Sequence, residues 1–490
     1  MNRYYKVFAS LVAIGSLSLS AAAVTGNVEA AGTTDTGYQS NEEQRVNPDF
    51  QTMNRLLTEA ALKYQVPPEI VKAIAENESG DWKQFDENGE AIVTSDNGIG
   101  IMQITNQAGY DEERLKNDIQ YNIEAGVQIL NKMFDRTDLP AINRKERDVL
   151  EHWYFAIMAY NGIKPVNSPI VQETGLPNPN AYQEKIYKVI EKYGLVNTTQ
   201  LPFKSSDFQY DSQSTKNIEF VTKNYSFNLP FTKSKHSFNA GQKVEIITSN
   251  VKLRSRATTD GDYVTLKEGE ALTVTGPFVY DEVTTRKNHF VWYPVKRSDG
   301  STGYVASSYL RLKFHDVPAG HYAEEAIDYL VDRGILYGVG NDNFGMGQPL
   351  KRWQAVLLLT RANNVSLDNR ENPNFTDVPT DYPYYNEIAA AVDEGLFGGV
   401  SETQFDPEGT LTRAQMAVVL QRLYEFPEAS GQHPFKDIKA DWYADAVARL
   451  YSAGITGGVT LDEYGPDQTV TREQFAVFMQ RSMDESFRIK

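Results

Sequence analysis

The chain has 490 residues, 48 Lys and Arg against 65 Asp and Glu, a net charge of −17, six histidines and no cysteine. The length points to about three domains. The acidic excess argues against nucleic acid as the main partner, and the lack of cysteine excludes disulfides, thiolate nucleophiles and Cys-ligated zinc. The histidines form no His-x-x-x-His pair, and His152, in Glu151-His152-Trp153-Tyr154, reads as packed among aromatics. The sequence therefore implies no metal and no cofactor.

Arg3 and Lys6 precede an apolar stretch from Val7 to Val24 and then Val28-Glu29-Ala30, the layout of an export signal cut after Ala30. The other reading of this stretch is a membrane anchor, but its Ser, Gly and Ala content makes it weakly apolar. The expectation is a secreted protein with signal peptide 1–30 and no membrane span in the mature chain.

Charge is distributed in blocks. Residues 41–200 carry 16 bases and 25 acids (net −9), 201–313 carry 16 and 11 (net +5), and 314–490 carry 14 and 27 (net −13). Such sign changes indicate modules. From 45 to 200 apolar residues recur at helix spacing, as in Leu56, Leu57, Ala60, Ala61 and Tyr64, and in Ile123, Val127, Leu130 and Phe134. Residues 201–240, rich in Ser, Thr, Asn and Lys, read as a linker. From 241 to 313 short β-branched and aromatic runs alternate with Gly, Asp and Ser turns, predicting a small β barrel.

The remainder repeats. Phe314-His315-Asp316-Val317, Phe375-Thr376-Asp377-Val378 and Phe435-Lys436-Asp437-Ile438 begin units 61 and then 60 residues apart, giving 314–374, 375–434 and 435–490. Each unit has a second helix opened by Lys351-Arg352-Trp353-Gln354, Thr412-Arg413-Ala414-Gln415 or Thr471-Arg472-Glu473-Gln474. A threonine there suits an N-cap, whereas an arginine in the first turn opposes the helix dipole. Arg352, Arg413 and Arg472 are therefore candidates for holding an anion; the alternative is surface salt bridges.

The candidate chemistry lies in the first module. Pro67, Pro68 and Gly80 delimit a helix over Pro68–Ser79. At roughly 100° per residue, Glu78 falls about 20° from Val71 and about 40° from Ile74, on the apolar face, while Glu76 points about 200° away toward water. A carboxyl on an apolar stripe, at the negative end of a helix, keeps its proton to higher pH than a solvated one, which suits a general acid. A buried structural glutamate paired with a base is the other reading. Asn97-Gly98-Ile99-Gly100-Ile101-Met102-Gln103-Ile104 and Ala159-Tyr160-Asn161-Gly162 then supply amides and an aromatic suited to sugar faces.

Taken in order, Ala73 to Gly80 with its Glu78-Ser79 pair, Gly100-Ile101-Met102-Gln103-Ile104, Asn122-Ile123-Glu124-Ala125-Gly126 and Ala159-Tyr160-Asn161 resemble the soluble lytic transglycosylase catalytic domain of the lysozyme-like superfamily. Ile101 stands where that pattern has Leu, and Asp86 to Glu90 looks like an insertion. The resemblance implies a mainly α fold in which Glu78 protonates the bond between N-acetylmuramic acid and N-acetylglucosamine. As carboxylate it then draws the proton from the muramyl 6-hydroxyl to close a 1,6-anhydro ring. Ser79, Met102, Gln103, Tyr160 and Asn161 would contact the glycan. A hydrolytic muramidase would need a second carboxylate. Asp96 is the candidate, against its reading as a turn residue in Ser95-Asp96-Asn97-Gly98.

Residues 241–313 resemble bacterial Src-homology-3 domains through Val251 to Arg256, Trp292-Tyr293-Pro294-Val295 and Gly303-Tyr304-Val305. The three repeats resemble S-layer homology domains, which implies an α-helical trimer binding secondary cell-wall polysaccharide through the motif arginines, with the first unit departing in its Leu350-Lys351-Arg352-Trp353. The sequence thus predicts a secreted, wall-associated multidomain protein acting on peptidoglycan glycan strands. Its rivals are a hydrolytic muramidase and a non-catalytic surface-layer protein.

Overall fold

In the computed structural model, which describes residues 45–105 and 108–490, the first helix, α1 (Phe50–Lys63), starts where the Asp49 carboxylate accepts the Gln51 and Thr52 N–H groups at 3.0 and 2.9 Å. The export segment lies outside the described residues. Among the described residues no helix is long and apolar enough to cross a membrane. Helix α2 forms over Pro68–Ser79, the range that its prolines and glycine predict. Helices α3 (Glu112–Asn117), α4 (Ile119–Asp135), α5 (Tyr154–Asn161) and α6 (Tyr182–Val189) follow. The Ile123, Val127, Leu130 and Phe134 stripe of α4 is buried, and α5 sits at the centre with Tyr154 to Met158 all buried. His152 stacks edge-on against Phe231 at 4.9 Å, and its Nδ1 accepts the Glu146 N–H; burial lowers its pKa to about 4.

Residues 201–240, predicted as a linker, instead complete this core. Strand β1 (Ala141–Ile142) pairs in parallel with β4 (Asn224–Tyr225), while β2 (Phe208–Gln209) and β3 (Glu219–Phe220) pair antiparallel. Phe203, Phe220 and Tyr225 lie 5.5–5.7 Å from the Phe155 ring. The segment's polar majority hides widely spaced aromatics that close one side of the helical core.

Strands β5 (Lys243–Ile246), β6 (Val251–Arg254), β7 (Tyr263–Leu266), β8 (Ala271–Val274), β9 (Trp292–Lys296), β10 (Thr302–Ala306) and β11 (Leu310–Lys313) form one antiparallel sheet in the order β11-β5-β8-β9-β10-β6-β7. It curves around Val244, Ile246, Leu253, Leu272, Tyr293, Val295 and Leu310. Trp292 is buried and gives its indole N–H to Asp281 at 3.2 Å, so it is core rather than a ligand platform.

The repeats contribute the helix pairs α7 (Glu324–Asp332) and α8 (Arg352–Ala362), α9 (Tyr385–Asp393) and α10 (Arg413–Tyr424), α11 (Ala444–Ser452) and α12 (Arg472–Met483). The second helix of each unit packs on the first helix of the next: α8 on α9, α10 on α11, and α12 back on α7. Isolated β-bridges join the same neighbours, Lys351 with Thr410, Thr412 with Thr469 and Thr471 with Pro349. The expected purely helical trimer is thus corrected to helices stitched by short extended segments. The repeated aspartate is structural: Asp316 accepts the N–H groups of Phe344, Gly345 and Met346 at 2.7–2.9 Å, and Asp377 and Asp437 do the same for Phe405 and Asp406, and for Tyr464 and Gly465.

Gly126 lets α4 approach the 98–104 segment, because a Cβ there would stand 2.6 Å from the Met102 Cβ. Gly126→Ala is expected to destabilise the fold by about 1–2 kcal/mol, overpacking outweighing the gain in helix propensity, as read from denaturant unfolding.

Candidate active site

Glu78 occupies the last turn of α2, and Gly80 ends the helix with φ +57° while its N–H closes on the Glu76 carbonyl at 3.0 Å. Glu78 is half-buried. Burial raises its pKa above the ordinary carboxylate value, a hydrogen bond from the Tyr182 hydroxyl to Oε1 acts in the opposite sense, and the Asp96 charge raises it further. Tyr182 opens α6 and is itself buried, and its own ionisation is strongly suppressed by burial and by the Glu78 charge. The sequence reading missed Tyr182; the signal was a tyrosine at a helix start soon after the Ala159-Tyr160-Asn161 segment.

The 98–104 segment is held by two buried amides. Asn122 on α4 accepts the Met102 N–H at 3.0 Å and donates to the Ile99 carbonyl at 2.8 Å, while Gln84 accepts the Ile101 N–H at 2.9 Å. Gly100, at φ +69°, is required because a Cβ would meet the Gln84 Oε1 at 2.3 Å. These bonds turn Met102 inward: it is fully buried, and its carbonyl accepts the Tyr160 hydroxyl at 2.7 Å. Gln103, with φ +47°, donates to the Gly100 carbonyl at 2.8 Å, and its side-chain oxygen lies 2.7 Å from the Thr94 hydroxyl. The same Thr94 hydroxyl lies 2.6 Å from Asp96. Asp96 is exposed in the turn from Thr94 to Gly98, and the Thr94 hydrogen bond lowers its pKa. It is thus an ionised carboxylate within electrostatic reach of Glu78.

Two predicted contact residues have local work instead. The Ser79 hydroxyl donates to the Ala75 carbonyl one turn back at 2.8 Å. The Asn161 side-chain oxygen accepts from Asn167 at 2.9 Å, and Asn167 in turn accepts the Tyr182 N–H at 3.2 Å. Asn161 therefore reaches the Glu78 partner through a chain of amides. Glu76, predicted to face water, is nearly buried and its carboxylate meets the Lys287 ammonium at 2.5 Å.

The repeat arginines are placed in a ring of their own. Arg352, Arg413 and Arg472 each begin a second helix and are 4–6% exposed. Neither surface ion pairs nor open cations, they donate to carbonyls of the neighbouring unit. Arg352 reaches Phe405 at 3.0 Å and Gly398 at 2.8 Å; Arg472 reaches Phe344 at 2.9 Å and Tyr337 at 2.6 Å. Arg413 reaches Tyr464 at 2.7 Å, but its Nη2 has no partner among the described residues. It faces a cleft of about 670 Å³ lined also by Tyr322, Leu461, Gln474 and Arg481.

Residues 55–176 match the family model of the transglycosylase SLT domain, and residues 313–356, 374–417 and 434–476 match that of the S-layer homology domain. The chain thus carries one SLT domain and three S-layer homology domains, and the β-sheet region between them lies outside both matches. Among curated relatives, the surface-layer 125 kDa protein of Lysinibacillus sphaericus is 32% identical over 33% of this chain and 14% of its own length. S-layer protein EA1 of Bacillus anthracis is 31% identical over 34% of this chain and 19% of its own. An uncharacterized cell wall amidase of Bacillus anthracis is 29% identical over 34% of this chain and 31% of its own. The chain therefore spans at most about a third of these relatives.

The Glu78 environment gives opposite expectations for two neighbours. Tyr182→Phe removes the bond that favours the carboxylate and should raise the Glu78 pKa, whereas Asp96→Asn removes a like charge and should lower it; carboxyl-carbon NMR titration reads both. Because the folded-state pKa is raised, the native state binds more protons than the unfolded chain between the ordinary carboxylate value and the raised one, so stability falls as pH climbs through that window. Glu78→Gln is expected to abolish this fall and to leave the protein more stable near neutrality, as read from unfolding curves at several pH values.

Proposed function

We propose that this protein is a secreted peptidoglycan lytic transglycosylase anchored to the cell wall by its S-layer homology domains. The observation that carries the reading is the half-buried Glu78 carboxyl, raised in pKa and bonded by Tyr182 at the end of α2. In its protonated form it donates to the glycosidic oxygen between N-acetylmuramic acid and N-acetylglucosamine as that bond breaks. The resulting carboxylate takes the proton of the muramyl 6-hydroxyl, whose oxygen closes on the anomeric carbon. No water enters the product, and the same group serves as acid and then base. Tyr182 supports the carboxylate stage, since its hydrogen bond stabilises the charge that appears after proton donation. Gln103 and Tyr160, both partly exposed, are read as glycan contacts, with Ser79 and Asn161 as further candidates and Met102 as the buried residue behind Tyr160.

Asp96 supports a second reading. As an exposed, ionised carboxylate whose charge is felt by Glu78, it has the properties required to activate water, which would make the reaction hydrolytic. Mass spectrometry of released muropeptides decides: a product lighter by one water supports transglycosylation, and a reducing-end sugar supports the muramidase. Glu78→Gln is expected to lower product release by about 10²–10⁴-fold while wall binding persists. Absence of activity in both forms would favour a non-catalytic surface protein.

The partner of the anchor is read as an anionic secondary wall polysaccharide, with Arg413 and Arg481 as cationic groups of one cleft. Arg352 and Arg472 serve chiefly to lock neighbouring units. Arg413→Ala with Arg481→Ala is expected to weaken retention on purified sacculi at least tenfold, and sedimentation with the sacculi measures it. Undiminished retention of a folded variant would overturn the assignment. The β-sheet region is read as a Src-homology-3-like module within the same wall-directed protein.

A further inference from the structure

Directly after Glu78 and Ser79 the backbone reverses through three residues of the left-handed region, Gly80, Asp81 and Trp82, with φ of 57°, 55° and 53°. Glycine adopts this conformation freely, but Asp81 and Trp82 carry a steric cost there, and such strain persists only where surroundings hold it. Trp82 is fully buried beneath α2, its indole N–H donating to the Lys72 carbonyl at 2.9 Å.

The groups that hold this reversal come from the β-sheet region, more than two hundred residues further along the chain. In the loop between β8 and β9, Lys287 places its ammonium 2.5 Å from Glu76, two residues before Glu78, and 2.5 Å from Asp81, three residues after it. The ammonium also lies 4.6 Å from the Tyr193 ring centroid and 5.9 Å from that of Phe50. The His289 ring is stacked between Trp82 at 4.5 Å and Tyr193 at 5.1 Å, and its carbonyl accepts the buried Lys72 ammonium of α2 at 2.8 Å. Gln51 and Asn54 of α1 bond the carbonyls of Arg286 and Asn288 at 2.7 and 3.1 Å. One loop therefore grips α1, α2 and the reversal.

We propose that Lys287 and His289 are positioning residues for Glu78, and that the β-sheet region is a working part of the catalytic unit. Lys287 ties both sides of the last turn of α2 to one charge, and His289 fixes Trp82 in the strained conformation; together they set where the Glu78 carboxyl points. The inference rests on the reading of Glu78 as the general acid.

Lys287→Met and Lys287→Arg in the full chain test it. Methionine keeps the stem and removes the charge. Turnover on soluble uncrosslinked glycan strands is expected to fall about ten- to a hundredfold with KM within about twofold, since small misplacements of a reacting group act on the chemical step. Hydrogen exchange of the Gly80 amide, which closes the helix, should accelerate at least tenfold, and arginine should restore both quantities most of the way. Turnover or exchange within about twofold of the parent overturns the proposal, as does an arginine variant no better than methionine. If Lys287→Met does not fold, Asp81→Asn, which tolerates the left-handed conformation and loses only the charge, is expected to give the same two changes at about threefold, and no change would overturn it. A parent chain that releases no product sinks the reading of Glu78 instead, and the exchange measurement then decides the positioning alone.

Discussion

The partial removal of one carboxyl from water organises the candidate site, and the partners that surround it decide what that removal does. Helix α2 carries its own control. Glu69, at the start of the helix, is completely buried, yet its pKa is lowered to about 2, because burial is outweighed by His236 and by the Lys235 N–H at 2.6 Å. Glu78, at the other end, is bonded by the single Tyr182 phenol, so burial wins and the proton is retained more strongly. The helix adds to both trends, its positive end favouring the Glu69 charge and its negative end disfavouring that of Glu78. One element thus holds a structural carboxylate and a proton reservoir within three turns.

A similar economy governs the repeats. A single helix–turn–helix unit cannot bury its apolar face, and the unit's second helix finds that cover on the next unit's first helix, until the third returns to the first. The arginine at each N-terminus completes the exchange by satisfying carbonyls of the adjacent loop, each such charge-assisted bond contributing about 1.5–3 kcal/mol. Where two guanidinium donors reach two carbonyls, as in Arg352 and Arg472, little remains for a ligand. Where one donor stays free beside a cleft, as in Arg413, structural and recognition roles coexist in one side chain.

Local features of the sequence announced what depended on neighbours in the chain. Helix α2, the buried side of Glu78, the α4 stripe and the three repeats followed from periodicity and from punctuation by Pro, Gly and Thr. What stayed hidden depended on distant pairings. Tyr182 meets Glu78 only because α6 folds back on α2; Glu76 looked solvated on a helical wheel until Lys287 arrived from the β-sheet region; and residues 201–240 seemed a linker because their aromatics follow no single period. The repeat arginines were legible as anomalies against the helix dipole, but their carbonyl partners lie on other units, which no motif within one unit can reveal.

The alternating charge of the chain gains a different meaning from the same contacts. A basic middle between acidic ends marks off modules in the sequence. In the folded protein several of those bases are turned inward to the flanking modules. Lys287 bridges Glu76 and Asp81 of the helical domain, while Arg311 pairs with Asp328 and Asp332 of α7 at 2.9 and 3.1 Å, and Lys313 pairs with Glu324 on the same helix. Exposed ion pairs contribute little singly, but these are partly buried and share carboxylates with hydrogen-bonded networks, where orientation rather than net attraction is the gain. The sign pattern along the sequence is then a record of how the modules face one another. Through Lys287 on one side and Arg311 and Lys313 on the other, the β-sheet region is tied to both of the modules that flank it in the chain.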